Sequence, residues 1–377
     1  MLADGESALE LVSTKIKSVE ALKVSIPLER PARFATRVVS ARDYTVVKVD
    51  TDEGLTGYGL CWWNHPADVV TRHLAHHLVG RDPLNIERLW DAMYREIYRE
   101  RKGAAVCALS AVDIALWDIK CKRYAQPLHG LLGSFRDKVP CYASDGYYRT
   151  GEGVKELVEE IGHYVKMGFR AAKIKVGAIP LDEDVKRVKA IRDAFGYDLK
   201  LMVDANNGYD RAQAIAAGRE YEKFKVEWFE EPIWPDDLDG AAAVCQALDT
   251  PVAQGELEYT KYGFRDIVMR GAADILQPDV LFCGGITEFL KIAHLAEACN
   301  LPVAPHAEHD IHAQLVATIP NALTVEYFEK ESDVMKDSML YESTLVPRDG
   351  YLELPSVPGV GLPIDEGRVQ EFLIKSG

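Results

Sequence analysis

Between residues 139 and 344, short apolar segments alternate with longer amphipathic ones. The apolar segments have the length and composition of buried strands, and the stretches between most of them have helical periodicity. Alternating strands and helices indicate a parallel sheet, and eight strands in about 200 residues favour a closed α/β barrel over an open sheet. The eight segments are VPCYASD, AAKIKVG, LKLMVDAN, VEWFEEP, PVAQGE, ADILQPDV, LPVAPHA and LTVEYF.

The residues before this barrel, 15–138, predict a separate α+β domain. YTVVKVDTDEGLTGYGL predicts two strands around a DEG turn, and NIERLWDAMYREIYR and AAVCALSAVDIALWDIKCKRY have helical spacing. Residues 345–377 are rich in proline and glycine and are expected to pack back on this domain. Residues 1–14 are expected to form an extension without the features of a signal peptide.

Charge and cysteine content exclude several classes of protein. The formal net charge of -15 argues against a nucleic-acid partner, which requires a basic face. No apolar run approaches the roughly 20 residues that span a bilayer, so we expect no membrane partner. Seven cysteines without a CxxC pair predict a reduced cytoplasmic protein with neither a disulfide framework nor a structural zinc site.

The predicted barrel strands share one feature, a charged or polar residue at or near the carboxyl end. Lys173 and Lys175 lie two residues apart in AAKIKVG, so both side chains point to the same face. Because barrel enzymes carry their chemistry at the carboxyl ends of strands, this recurrence predicts an active site. The later strand ends supply Asp204, Asn206, Glu230, Glu256, Asp279, His306 and Glu326.

Three of these residues, Asp204, Glu230 and Glu256, lie on consecutive strands and should converge. Carboxylates 4 Å apart repel by on the order of 4 kcal/mol at an effective dielectric constant of about 20. Either they take up protons or a cation lies among them, and ligation by oxygen alone points to a hard cation such as Mg²⁺. One divalent cation would leave the three carboxylates with a net charge of about -1. The two lysines lie nearby and could offset this remaining charge.

His306 and Asp279 form the other half of the predicted site. An aspartate bonded to one imidazole nitrogen fixes the tautomer of the histidine and favours its charged form. A metal between a lysine and this pair suits removal of a proton next to a carboxylate. Lys175 or His306 would move the proton, and Lys173 would help stabilise the charge that develops.

This set of residues resembles the enolase superfamily, specifically its mandelate racemase subgroup. The resemblance covers nearly the whole chain through SAVDIALWDIKCK, KIK, DAN, FEEP, QGE, QPD with CGGIT, and APH. It implies a modified (β/α)7β barrel, similar to a TIM barrel, capped by an α+β domain. It also implies Mg²⁺ as the cofactor and a homo-oligomer as the assembly.

The resemblance further implies a role for each residue. Asp204, Glu230 and Glu256 would bind Mg²⁺, Lys175 would be a base, and Lys173 would help bind the substrate carboxylate. His306 with Asp279 would form the second acid/base pair. Asn206 would contact the α-substituent of the substrate and Glu326 its carboxylate, while Glu231 would support the metal site without binding the ion.

Substrate selection is expected to depend on loops of the first domain and on the loop after the first barrel strand. These loops offer Arg33, Arg37, Trp63 and Tyr148 as candidate substrate contacts. Arginines and hydrogen-bonding groups suit a polyhydroxylated or second carboxylate end, so the favoured substrate is an aldonate or an aldarate. His309 and His312 have helical spacing beyond His306 and are expected to begin the next helix, with His309 near the pocket at most.

The favoured reaction is dehydration of this sugar acid to a 2-keto-3-deoxy acid. A racemase or epimerase that uses Lys175 and His306 on opposite faces of one carbon needs the same residues and stays open as the alternative. A non-catalytic binding protein on a retained barrel is a remote third interpretation, because every expected ligand and acid/base position is filled.

Overall fold

The structure is a computed structural model that describes residues 14–330 and 334–374. Apart from Thr14, the predicted N-terminal extension lies outside the described residues. Within them, no helix combines the length and apolar character that crossing a lipid bilayer requires.

The first domain has a three-stranded antiparallel sheet with the order β1-β2-β3. Its strands are β1 (Ile16–Phe34), β2 (Arg37–Thr51) and β3 (Thr56–Trp62). The helices that follow are α1 (Pro66–Val69), α2 (Ile86–Glu96), α3 (Ala104–Arg123) and α4 (Leu128–Leu132), with a π-helical turn at Val70–Leu74 and a 3₁₀ turn at Ala75–His77 after α1.

Helix α3 packs directly against strand β3, and small residues make this approach possible. A Cβ atom added to Gly59 of β3 would lie 1.8 Å from the carbonyl oxygen of Ala111 in α3. Most of the helix is buried, including Asp113 and Asp118. The small-residue composition of this segment therefore serves close backbone packing between helix and sheet.

The second domain is a barrel of parallel strands in the order β10-β4-β5-β6-β7-β8-β9. Its strands are β4 (Lys138–Asp145), β5 (Ala171–Lys175), β6 (Lys200–Asp204), β7 (Phe229–Glu230), β8 (Val252–Gln254), β9 (Ile275–Leu276) and β10 (Val325–Tyr327). The helices between them are α5 (Val154–Lys166), α6 (Leu181–Phe195), α7 (Arg211–Glu222), α8 (Leu238–Ala247), α9 (Thr260–Arg270), α10 (Gly285–Ala298) and α11 (His309–Val316).

The strand predicted at LPVAPHA is absent as a regular element. Val303 instead forms isolated parallel bridges, with Leu276 on one side and Ala322 on the other. Pro302 and Pro305 flank this point, and each lacks the backbone N–H that a longer ladder requires. Val303 is therefore the residue that bridges β9 to the segment just before β10.

The C-terminal segment contacts both domains. Strand β11 (Tyr351–Glu353) pairs antiparallel with β4 of the barrel. After helix α12 (Glu366–Glu371), Leu373 forms a bridge with Val24 of β1, and the amide of Ile374 donates to Lys23 O at 2.9 Å. This segment thus joins the edge of the first sheet to the barrel.

An apolar layer inside the barrel supports the polar strand ends above it. The layer contains the buried side chains of Tyr142, Met202, Trp228, Ala253, Ile275 and Ala304. Because alternate residues of a strand share a face, the next inward position after Met202 is Asp204, and the next after Trp228 is Glu230. The charged groups therefore lie at the barrel mouth, next to this buried apolar layer.

Candidate active site

Three carboxylates meet at the mouth of the barrel. Asp204 ends β6, Glu230 ends β7, and Glu256 follows β8 by two residues. Each offers one oxygen, and these three atoms lie within 4.8 Å of one another. Asp204 and Glu230 are fully buried, so water does little to reduce their repulsion.

The two lysines of β5 neutralise part of this charge. Lys175 lies beside Asp204 in the sheet register, and its Nζ atom donates to Asp204 Oδ2 at 2.5 Å. Lys173 contacts Glu230, and its Nζ atom lies 2.7 Å from Glu326 Oε1. Both ammonium groups are buried because carboxylates on neighbouring strands pair with them.

Two opposing effects set the pKa values of the two lysines and of Glu230: burial disfavours the charged form, and nearby opposite charges favour it. Burial lowers the pKa of Lys175, but the charge of Asp204 outweighs it and the net shift is upward. The pKa of Lys173 is likewise raised, because Glu230 and Glu326 outweigh the effect of burial. Burial raises the pKa of Glu230 to about 7, against the opposing charge of Lys173.

The carboxylate of Glu230 is oriented by two further side chains. Its Oε2 atom accepts from Trp228 Nε1 at 2.9 Å and from Gln277 Nε2 at 2.7 Å. Neither donor was expected from the sequence. Both could have been found from the rule that strand residues two positions apart point to the same face. Trp228 lies two residues before Glu230, and Gln277 lies two residues before Asp279.

His306 and Asp279 form a hydrogen-bonded pair near the third carboxylate. His306 Nδ1 lies 2.8 Å from Asp279 Oδ2, and its Nε2 atom lies 3.6 Å from Glu256 Oε2. Burial lowers the pKa of His306, but Glu256 and the bond to Asp279 raise it to about 10. The carboxylate group therefore has Lys175 at one end and His306 at the other.

A cavity of about 110 Å³ lies over these residues. Its lining includes Lys175, Glu256 and His306 from the barrel, and residues of β1 to β3 and the adjoining turn cover it from the first domain. The covering residues are Phe34, Arg37, Arg42, Trp62 and Trp63. Residues of both domains therefore line the site.

The donor atoms fit a hard divalent cation. All three candidate ligands are carboxylates, and Glu256 Oε2 has no hydrogen-bond partner among the residues that the structure describes. A buried carboxylate oxygen that accepts no hydrogen bond is costly, and coordination of a cation would remove that cost. Asp204, Glu230 and Glu256 are therefore the residues that could hold a metal here.

Comparison with known families agrees with this geometry. Residues 16–133 match the N-terminal domain of the mandelate racemase/muconate lactonizing enzyme family, and residues 156–368 match the enolase C-terminal domain-like family. The chain belongs to the mandelate racemase subgroup of the enolase superfamily. The resemblance seen in the sequence and the predicted barrel fold are both confirmed.

Individual relatives of this subgroup cover nearly the whole chain. Arabinonate dehydratase of Saccharolobus solfataricus is 37% identical, with 89% of this chain and 91% of the relative covered. D-galactarolactone cycloisomerase of Agrobacterium fabrum is 33% identical, with 95% of this chain and 98% of the relative covered.

A solved structure shows the same similarity. It is a racemase from Streptomyces coelicolor with bound magnesium, which is 33% identical and superimposes with a TM-score of 0.90. The comparison covers 95% of this chain and 100% of that one. The fold of this enolase superfamily member is therefore closely shared with a magnesium-bound relative.

The structure brings some of the predicted substrate contacts to the cavity. Arg37, Trp63 and Asn206 line it. Glu326 lies at the site without lining the cavity, since its carboxylate faces Lys173 and accepts from the amide of Ala307 at 2.8 Å. Arg42 also lines the cavity and was missed, although it lies on β2 in the same strand as Arg37.

Arg33 and Tyr148 do not reach this cavity. They line a neighbouring one of about 360 Å³. Arg33 Nη2 donates to Ala178 O at 3.0 Å, and the Tyr148 hydroxyl donates to Asp184 Oδ1 at 2.6 Å. Both side chains hold the β1–β2 hairpin and the loop after β4 against the barrel.

The other two histidines of HAEHDIH have partners of their own. Helix α11 begins at His309, whose Nε2 atom lies 2.9 Å from Thr344 Oγ1. His312 Nε2 accepts from the amide of Val280 at 3.1 Å, and burial lowers its pKa to about 4. His312 is therefore a neutral structural residue, and His309 contacts Thr344, just before the C-terminal segment.

Several residues near the mouth of the barrel have left-handed backbone conformations. The φ angles are 37° at Asn206, 40° at Glu231 and 51° at Ala307. Such conformations are unfavourable for residues other than glycine and concentrate at functional sites. They turn the chain sharply at the barrel mouth and place the neighbouring carboxylates and His306 around one point.

Proposed function

We propose that the protein is a Mg²⁺-dependent dehydratase that converts an aldonate or an aldarate into a 2-keto-3-deoxy acid. One observation carries the proposal: Lys175 contacts Asp204 at one end of the carboxylate group, and His306 approaches Glu256 at the other. These contacts support the proposal that two groups able to transfer protons lie on either side of one substrate position.

Asp204, Glu230 and Glu256 are proposed to hold the Mg²⁺ ion. When bound, Mg²⁺ supplies positive charge that offsets the three carboxylates and stabilises the negative charge that develops on the substrate carboxylate. Trp228 and Gln277 keep Glu230 in place for this role.

Lys173 is proposed to bind the substrate carboxylate, and Glu326 to orient Lys173. Burial raises the pKa of Glu326, but the charge of Lys173 and His306 outweighs it and the net shift is downward. Its 2.7 Å contact with Lys173 fixes the ammonium group at the position proposed for the substrate carboxylate, where Glu326 would be a second contact.

Two proton transfers complete the proposed reaction. Lys175 Nζ or His306 Nε2 takes the proton from the α-carbon, and the electron pair of the broken C–H bond moves into the carboxylate as an enediolate. His306 then gives a proton to the β-hydroxyl as its C–O bond breaks, so that water leaves. The resulting enol takes up a proton at the β-carbon and loses the proton of its enol hydroxyl, which gives the 2-keto-3-deoxy acid. Asp279 keeps Nδ1 of His306 protonated, so Nε2 faces the substrate.

The relatives support a sugar acid as the substrate. They include arabinonate dehydratase and an L-talarate/galactarate dehydratase of Salmonella typhimurium. The cavity of this chain adds Arg37 and Arg42, which suit a hydroxylated or carboxylate end far from the reacting carbon. Asn206 would contact the α-substituent.

A racemase or epimerase is the second candidate. A magnesium-bound relative from Streptomyces coelicolor is described as a racemase, and Lys175 and His306 could serve opposite faces of one carbon. Both reactions begin with removal of the α-proton; a racemase or epimerase then returns a proton to the opposite face, whereas a dehydratase expels the β-hydroxyl as water.

We also propose a cellular location and an oligomeric assembly for the protein. All seven cysteines are free thiols, which supports a reducing compartment such as the cytoplasm. We propose a homo-oligomer as the assembly, which light scattering of the purified protein would measure.

The test is an incubation of the purified protein with Mg²⁺ and a library of aldonic and aldaric acids in D₂O. Keto products are detected with semicarbazide and α-deuterium by NMR. A keto acid from one or a few stereochemically related substrates is expected. Deuterium incorporation without a keto acid would establish the racemase or epimerase instead, and neither signal with any acid would contradict both.

A further inference from the structure

A residue of the first domain bonds directly to the acid/base pair of the barrel. Trp62 is the last residue of β3, and its indole Nε1 donates to Asp279 Oδ2 at 2.9 Å. The same oxygen faces His306 Nδ1 at 2.8 Å, while Asp279 Oδ1 accepts from the amide of Leu281 at 2.7 Å. The carboxylate of Asp279 is thereby fixed from three directions.

The ring of Trp62 is itself held by packing on several sides. Its centroid lies 5.4 Å from that of Tyr44, 6.4 Å from that of Phe282 and 6.2 Å from that of His306. The indole is only 8% exposed. A side chain confined in this way loses little further freedom when it donates a hydrogen bond, so the bond can control geometry.

Two other indoles of the first domain reach the barrel segment that follows Asp279. Trp90 Nε1 donates to Gly284 O at 2.8 Å, and Trp117 Nε1 donates to Thr287 Oγ1 at 2.9 Å. These hydrogen bonds join the domains, but their acceptors are a carbonyl and a hydroxyl away from the reacting groups. The acceptor of the Trp62 hydrogen bond, in contrast, is Asp279, the residue that orients His306.

We propose that Trp62 is a positioning residue for His306 and acts through Asp279. Its indole N–H holds Asp279 Oδ2 in line with His306 Nδ1, which keeps Nε2 directed into the cavity. Lys175 bonds to Asp204 and has no part in this arrangement. The inference rests on the proposed function, in that His306 transfers a proton, and it makes the first domain part of the acid/base machinery as well as a cover.

A double-mutant cycle with Trp62→Phe and His306→Asn tests the proposal. Phenylalanine keeps most of the ring packing and removes the N–H donor. Loss of a hydrogen bond to a charged group predicts a fall in kcat of about 10- to 100-fold, with little change in KM. In the His306→Asn background, Trp62→Phe should have no further effect, because the group it positions is gone.

Trp90→Phe is the matched control, because it also removes an indole hydrogen bond between the domains. It should leave kcat within about threefold of the parent. An equal fall in kcat for Trp90→Phe and Trp62→Phe would assign both to domain packing and overturn the proposal. An undiminished effect of Trp62→Phe in the His306→Asn background would overturn it as well.

A second measurement does not depend on turnover. In protein labelled with ¹⁵N-histidine, the Nδ1–H resonance of His306 should shift on Trp62→Phe and stay in place on Trp90→Phe. An unchanged resonance in the Trp62→Phe variant would contradict the positioning role. Failure of the wild-type protein to act on any acid would instead contradict the proposed function, while this spectrum would still report on Trp62.

Discussion

Lys175 Nζ lies 2.5 Å from Asp204 Oδ2, so the proposed base is hydrogen-bonded to a proposed metal ligand. The charge of Asp204 contributes to the raised pKa of Lys175, and a protonated lysine is not a base. We therefore expect that a cation bound by the three carboxylates would offset their charge and make Lys175 a stronger base.

Glu256→Gln tests the metal site separately from the acid/base residues. Replacing a charged ligand by a neutral amide should weaken the binding of Mn²⁺, used as a paramagnetic substitute for Mg²⁺, by at least about tenfold. Titration followed by electron paramagnetic resonance measures this change. Glu258→Gln is the control, since Glu258 is also buried but pairs with Lys102 at 2.9 Å. Equal Mn²⁺ affinity in the wild type and in Glu256→Gln would exclude Glu256 as a ligand.

Arg37 and Arg33 are expected to differ in their effect on substrate binding. Arg37 lines the cavity that contains Lys175, while Arg33 lines the neighbouring cavity and bonds to Ala178 O. Arg37→Met should raise the KM for the identified acid by about 10-fold or more, through loss of a hydrogen bond to an anionic or hydroxylated group. Arg33→Met should change KM far less. Steady-state kinetics decide the point, and the reverse order would place the substrate in the larger cavity.

The stability of the protein should depend on pH through Asp113. This buried carboxyl accepts from the amide of Thr287 at 2.9 Å and from its hydroxyl at 2.6 Å, and burial raises its pKa from 3.8 to about 7. A carboxyl whose pKa is higher in the folded state loses stability as the pH rises from its unfolded value to its folded value. The contribution of Asp113 therefore falls between about pH 4 and about pH 7.

Asp113→Asn should remove this part of the pH dependence. The amide is neutral throughout, and it can accept from the Thr287 amide while donating to the Thr287 hydroxyl. Thermal unfolding of both proteins from about pH 5 to about pH 8 measures the effect as a shallower decline of Tm in the variant. Parallel Tm curves would show that Asp113 does not titrate in this range.

The sequence predicted those parts of the site that follow from strand periodicity. Lys173 and Lys175 had to share a face, and Asp204, Glu230 and Glu256 had to meet if the strands were neighbours in a barrel. The pairing of His306 with Asp279 followed from the same logic. Trp228 and Gln277 obey the identical rule but carry no formal charge, which is why they were not identified.

Contacts between distant segments could not be predicted in the same way. Arg33 and Tyr148 looked as suitable as Arg37, yet the pairing of the β1–β2 hairpin with the loop after β4 turns them into another cavity. The bond from Trp62 to Asp279 joins residues 217 positions apart, and no local pattern encodes it. LPVAPHA has the composition of a strand, but its two prolines lack the backbone N–H groups that a regular strand needs, so no regular strand forms there.

Lys175 and His306 are proposed to carry the proton transfers, while the three carboxylates are proposed to bind the metal. This assignment is tested by comparing α-proton exchange and keto-acid formation in D₂O for Lys175→Ala, His306→Asn and the double variant. The His306→Asn change should lower kcat by about 10² to 10⁴, and the double variant should show neither exchange nor product while it binds Mn²⁺ as the wild type does. Turnover by a double variant that binds the metal normally would contradict the assignment.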